Sequence, residues 1–185
     1  MSSYSRNSRK PTQALQLAFA ATLLVGSAAY AADEPRTFEL TAFSNGTAGE
    51  ALVSGKYNTA VSELSTHAHV LDDDTASTNR CVAYVVTRQM EAARAACDAA
   101  VREAQQAITS MPVSMSWARS DYLDYLGVAY SNRAVLNWVA NDTAAAQSDL
   151  KKAARVAPKA TFVARNLTAL QSHSTVAQVA VAPKS

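Results

Sequence analysis

Residue types that enzymes need for catalysis are scarce in this chain of 185 residues. It contains three histidines, two cysteines and five glycines. It has no glycine-rich phosphate loop and no C-x-x-C redox pair. His67 and His69 are two positions apart on a predicted helix, so they lie on different faces and are poorly placed to share a metal ion. We therefore expect no catalytic residue, no cofactor and no metal site, and a protein that is not an enzyme.

Acidic residues are missing from the first 32 positions, which carry three basic residues near their start. An apolar run over residues 14–25 follows, and then an A-x-A sequence at 29–31. This order predicts a secretory signal peptide at residues 1–31, cleaved between Ala31 and Ala32. A retained membrane anchor is the competing interpretation. The apolar run is shorter than the roughly 20 residues that span a bilayer, which favours cleavage.

Loss of residues 1–31 would change the charge of the protein. The full chain has 17 basic and 15 acidic residues. Three of the basic residues lie in the predicted signal, so 14 remain against 15 acidic ones, a net charge of −1. The charge therefore gives no support for a nucleic-acid partner. We expect a periplasmic or secreted protein with no stable membrane anchor after cleavage, in a compartment where disulfides persist.

Few glycines and prolines and many alanines favour helices, and the chain repeats itself. NRCVAYVVTRQMEAARAACDAAV (79–101) aligns without a gap on NRAVLNWVANDTAAAQSDLKKAA (132–154). Each stretch has an apolar-periodic helix, a polar break and a second helix. A weaker first block contains SGKYNTAVSEL (54–64). The identical positions are Asn79/Asn132, Arg80/Arg133, Val82/Val135, Val86/Val139, Ala92/Ala145, Ala93/Ala146 and Ala100/Ala153.

These blocks resemble the tetratricopeptide repeat (TPR), a helix-turn-helix unit of 34 residues. With Pro158 set at consensus position 32, Ala146 and Ala153 match the consensus alanines at positions 20 and 27. Asn132 matches an asparagine often found at position 6. The resemblance covers roughly residues 46–158 and implies an all-α fold: a short α-solenoid of about three TPR-like units plus a C-terminal capping helix.

The chain departs from the TPR pattern in two ways. Arg80 and Arg133 stand where the family usually has leucine, and 53 residues separate the second and third blocks. An unrelated all-α bundle is the competing interpretation. For the two arginines we predict ion pairs with acids on neighbouring helices, with Asp98 and Asp149 as candidates.

The breakers and the periodicity divide the chain into three parts after the signal. We predict an extended N-terminal arm at 32–46, a TPR-like helical domain at 47–172 and a disordered tail at 173–185. An N-cap at Asp72–Asp74 begins the third helix. The predicted helices cover 47–54, 57–69, 75–87, 89–107, 117–140, 143–156 and 159–172.

Cys81 and Cys97 lie eight residues on either side of the predicted turn at position 89. Equal distances from a hairpin turn place two residues at the same height on facing helices. The same repeat positions hold Ala48 and Leu64 in the first block, and an alanine and a leucine again in the third. The pattern predicts an inward contact that an oxidising compartment converts to a disulfide. Two reduced, buried cysteines are the alternative.

The resemblance also implies a concave groove for an unidentified protein or peptide partner. Asn132, Val135 and Trp138 are the candidate groove residues, although packing of Trp138 in the core against the capping helix is the favoured explanation for that residue. The N-terminal arm is a candidate occupant of the same groove. We predict an exported TPR-like protein–protein interaction or scaffold module. The alternative is an envelope enzyme or metal-handling protein on an α-solenoid scaffold.

Overall fold

The structure is a computed structural model that describes residues 13–16, 38–66 and 75–181. The predicted cleavage site, His67 and His69, and the predicted cap at Asp72–Asp74 lie outside the described residues. The described fold is predominantly helical, as the all-α prediction states. Its helices are α1 (Gly49–Val53), α2 (Tyr57–Thr66), α3 (Ala76–Val86), α4 (Met90–Thr109), α5 (Arg119–Val139), α6 (Thr143–Val156) and α7 (Thr161–Val181), with strands β1 (Gln13–Gln16) and β2 (Glu39–Ala42) and a 3-10 helix at Val113–Ala118.

The first six helices form three consecutive pairs, and all three pairs turn in the same way. One residue with positive φ lies between the two helices of each pair: Gly55 in the first (73°), Arg88 in the second (60°) and Asn141 in the third (63°). In each turn this residue donates its backbone N–H to the carbonyl three residues earlier, and the next residue donates to the carbonyl five residues before it. This is the usual hydrogen-bond pattern of a helix that ends at a left-handed residue. Three identical turns support the internal repeat independently of side-chain identity.

The helix bounds differ from the prediction mainly at two places. The long helix predicted over 117–140 begins as the 3-10 helix and becomes α5 at Arg119. The last helix does not end at residue 172 but continues to Val181 through the segment predicted as a disordered tail. No glycine or proline interrupts residues 161–181, and Pro183 is the first breaker after them.

The helices pack in chain order: α3 against α4, α4 against α5, α5 against α6 and α6 against α7. Gly127 permits the close approach of α5 to the chain after α6, because a Cβ there would lie 2.5 Å from the Cβ of Ala157. The 3-10 helix, in contrast, exposes apolar side chains to solvent. Val113, Met115 and Trp117 are its exposed apolar side chains. In the part of the chain that the structure describes, no helix is both long enough and apolar enough to cross a membrane.

A disulfide joins α3 to α4 through Cys81 and Cys97, whose Cα atoms are 4.6 Å apart. Both cysteines are fully buried at the contact that the repeat predicts. The equivalent positions of the other two pairs are buried as well, and they hold Ala48 and Leu64 in the first pair, and Ala134 and Leu150 in the third. The middle pair therefore has a covalent bond where its neighbours have a contact between a small and a large apolar side chain.

Candidate functional site

Strand β2 lies across the odd-numbered helices of the fold. It contacts α3, α5 and α7, and its chain continues directly into α1. All four residues of the strand are buried, with exposures between 0% and 3%. A segment predicted as an extended arm is therefore an integral part of the core.

A row of three asparagines holds the backbone of this segment. Asn166 accepts a hydrogen bond from the N–H of Glu39 and donates to its carbonyl, at 2.6 and 2.8 Å. Asn132 bonds Thr41 in the same two ways, at 2.9 and 2.8 Å. Asn79 does so with Phe43, at 2.9 and 3.0 Å. The three side chains together satisfy both backbone groups of every second residue.

The repeat explains why the asparagines form a row. Asn79 and Asn132 each lie nine residues before the left-handed turn residue of their helix pair, and Asn166 follows Asn132 by 34 residues. Each asparagine is completely buried. In the first pair the corresponding residue is Gly46, where a Cβ would collide with the hydroxyl of Thr75. Gly46 itself lies in the segment that connects β2 to α1.

An amide side chain suits this task because its acceptor oxygen and its donor NH₂ group lie side by side. Those are the groups that an extended residue presents along one edge. One such hydrogen bond typically contributes about 1 kcal/mol net to folding stability, whereas a buried polar group left without a partner costs about 1–3 kcal/mol. The six hydrogen bonds go to main-chain atoms, so they fix the extended backbone of Glu39, Thr41 and Phe43 and not their side chains.

Side chains of the arm supply the remaining contacts. Phe38 packs on Trp138 with 5.2 Å between ring centroids, and Phe43 meets Tyr125 edge-on at 4.9 Å. Leu40 is fully buried in the same core cluster as Val135. The arm is therefore fixed both by its backbone and by apolar contacts of its side chains.

The opposite face of β2 is polar. Glu39 forms an ion pair with Arg165, in which Oε2 lies 2.8 Å from Nη1. Its other oxygen, Oε1, and the hydroxyl of Thr41 are buried without a hydrogen-bond partner. Buried polar atoms are nearly always paired in folded proteins. These two atoms therefore mark a place where a donor group would be stabilised.

The second edge of β2 is paired with β1. The two strands are antiparallel, with Gln13 opposite Ala42 and Gln16 opposite Glu39. Because successive residues of a strand direct their backbone groups to opposite edges, Leu40 and Ala42 face β1 while their neighbours face the asparagines. β2 is thus hydrogen-bonded along both edges, by the asparagines on one and by β1 on the other, and β1 lies inside the predicted signal peptide.

Arg133 and Asp149 form a charged cluster beside the row. Arg133 bonds Asp149 through Nε at 2.7 Å and Nη2 at 3.0 Å, and it reaches Asp98 at 2.9 Å. The hydrogen bond to Asp149 raises the pKa of the Arg133 guanidinium further, against the opposing effect of burial. Lys152 adds a contact to Asp149 at 3.1 Å. The ion pairs predicted for Arg133 are present, and their geometry is that of a structural brace between α4, α5 and α6.

The three residues predicted for a partner groove lie under the arm. Asn132 and Val135 are covered almost completely, and Trp138 is partly buried against Phe38. Whether they bind another protein stays a prediction. Asn166 belongs to the same row but was not predicted from the sequence, although its spacing of 34 residues from Asn132 equals the repeat length of the family that the sequence resembles.

No group of three or more metal-ligating side chains occurs in residues 38–66 and 75–181. Comparison of the chain with protein-family models, with curated proteins and with solved structures finds no match.

Proposed function

We propose that this protein is an exported, non-enzymatic interaction module: a short solenoid of TPR-like units whose concave groove holds extended main chain. The observation that carries the proposal is the asparagine row of Asn79, Asn132 and Asn166, each bonded to both backbone groups of one arm residue. A row of this kind binds any extended segment, and in this structure it binds the chain's own arm. The function is then to present that arm, fixed in a groove, to a protein partner.

Two further observations support the solenoid and the exported address. The three helix pairs share one turn geometry at Gly55, Arg88 and Asn141, which is typical of a repeat array. The Cys81–Cys97 disulfide suits an oxidising compartment such as the periplasm. Signal cleavage between Ala31 and Ala32 belongs to the same proposal, and the intact mass of protein recovered from the periplasm tests it. A product that retains residues 1–31 would contradict the proposed address.

The interaction role is tested with the two tryptophans, which form a natural matched pair. Trp138 contacts the arm in the groove, whereas Trp117 is 62% exposed on the 3-10 helix. We expect Trp138→Ala to lower the yield of specifically cross-linked partner from the cell envelope, and Trp117→Ala to leave it unchanged. Equal partner recovery from both variants would remove the main support for the groove. Loss with Trp117→Ala alone would move the binding surface to the 3-10 helix.

A further inference from the structure

β1 covers one edge of β2 through antiparallel pairing. Backbone groups of Leu40 and Ala42 face this edge, and both residues are completely buried while β1 is in place. Buried backbone groups need hydrogen-bond partners. The asparagine row satisfies only the alternate residues Glu39, Thr41 and Phe43. The structure therefore leaves one edge of a rigidly held strand dependent on another strand.

The strand that fills the edge is part of a segment that export removes. β1 lies at Gln13–Gln16, within the predicted signal peptide, and β2 lies after the cleavage site. Cleavage at Ala31 would take β1 away and leave β2 fixed on its other side by the three asparagines. An open edge with a preformed, buried strand behind it is a template for an incoming strand.

The geometry points to one occupant: an extended segment of a partner protein that adds antiparallel to Glu39–Ala42 in the place of β1. This inference rests on the proposed export, because the edge becomes free only when residues 1–31 are lost. The pairing with β1 supplies the register, in which position 15 lies opposite Leu40 and position 16 opposite Glu39. In the uncleaved chain, β1 occupies the position that the partner strand would take on β2.

The two faces of β2 define the chemistry of the partner. The residue opposite Leu40 shares the face of a fully buried leucine, so an apolar side chain fits there. The residue opposite Glu39 shares the face on which Oε1 lies buried without a partner. A lysine or arginine at that position places a donor beside a carboxylate, in a pair whose side chains approach closely because it is the non-hydrogen-bonded type. The partner segment is therefore extended, with an apolar residue followed by a basic one.

A labelled peptide with the sequence of residues 11–18, PTQALQLA, tests the inference by fluorescence anisotropy. Two receptors are used: the protein recovered after export, with its N-terminus established by mass, and the full chain carrying Leu15→Pro. Proline at position 15 removes the N–H that faces Leu40, so the β1 segment loses its place on the edge. The unaltered full chain is the control, because β1 already occupies its edge.

We expect the peptide to bind both receptors and to bind the unaltered full chain at least about tenfold more weakly, because there it competes with a tethered strand. N-methylation of the leucine opposite Leu40 should weaken binding by about tenfold, since it removes a donor from a buried pair. N-methylation of the preceding alanine, whose N–H faces away, should have little effect. The peptide PTQALKLA, with lysine opposite Glu39, should bind on the order of tenfold more tightly than PTQALQLA.

The outcomes separate this inference from the proposed function. No binding to Leu15→Pro protein whose helical circular dichroism is unchanged overturns strand addition and leaves the export and the groove standing. Equal weakening by the two N-methyl groups also overturns it, because the peptide is then not reading this edge. An uncleaved exported protein contradicts the proposed export, while binding to the Leu15→Pro chain still decides whether the edge accepts a strand.

Discussion

Replacing Asn132 by aspartate changes one NH₂ group to an oxygen at the centre of the asparagine row. The side chain keeps its shape, and it still accepts from the N–H of Thr41. It no longer donates to the Thr41 carbonyl, which Asn132 reaches at 2.8 Å. An ionised carboxylate there faces a carbonyl oxygen and is completely buried. A protonated carboxyl group, in contrast, has a donor O–H and an acceptor oxygen and can make both bonds.

The magnitude follows from proton linkage. The folded-state pKa of the new carboxyl must lie above its unfolded value of about 3.9, because burial and the facing carbonyl disfavour the charge. The variant is therefore close to wild-type stability below about pH 4, and it loses about 1.4 kcal/mol for each pH unit above that until the folded-state pKa is reached. An unpaired buried carbonyl plus a desolvated charge gives an expected loss of about 3 kcal/mol by pH 7, equivalent to a pKa displaced by about two units.

Urea unfolding of wild type and Asn132→Asp at several pH values between 4 and 7 measures this difference. Asn58→Asp is the matched control, because Asn58 is exposed at the start of α2. Its difference from wild type should stay within about 0.5 kcal/mol at every pH. A stability difference for Asn132→Asp that does not grow with pH would refute the paired amide geometry, as would wild-type stability at pH 7.

Three other changes test the scaffold around the row. Cys81→Ala combined with Cys97→Leu installs the contact of the neighbouring pairs. We expect the free energy of unfolding in denaturant to fall by about 1–3 kcal/mol, because about 3 kcal/mol from loop closure is removed and new apolar burial offsets part of it. A more stable double variant would show that the disulfide strains the pair. Asp149→Asn should lower the free energy of unfolding by about 2–4 kcal/mol, because Asp149 is 3% exposed. Asp98 pairs with the same guanidinium, but its side chain is 48% exposed, so Asp98→Asn should lower it by less than about 1 kcal/mol. Equal losses would contradict this difference in burial. Gly127→Ala should lower the thermal midpoint through overpacking of about 1–3 kcal/mol against the chain after α6, and an unchanged midpoint would mean that the helices separate freely there.

Much of the helical layout was predictable because its causes are local. The polar breaks at Arg88 and Asn141 are the left-handed turns of the structure. The hairpin spacing of Cys81 and Cys97 is the spacing of a disulfide between facing helices. The absence of glycine and proline from residues 161–181 also explains why α7 continues beyond residue 172, so its full length was predictable from the sequence.

The arm and its partners were not predictable in the same way. The asparagine at position 79 matched a repeat pattern, yet nothing near it in the chain indicated that Phe43 supplies its two hydrogen bonds. Strand pairing between residues 13–16 and 39–42 was hidden, because the first segment has the composition of a targeting signal. A four-residue alternation is too short to distinguish a strand from an irregular arm.

The sequence by itself determined the helix pairs, their turns and the cysteine contact, since hydrophobic periodicity, turn chemistry and repeat spacing act over a few residues. Only the tertiary structure decided that Asn132 and Asn166 meet Thr41 and Glu39, at separations of 91 and 127 residues. The physical reason is that stacking of the helices places equivalent residues in line. A side chain that is merely polar in the sequence then becomes one position in a row that binds an extended backbone.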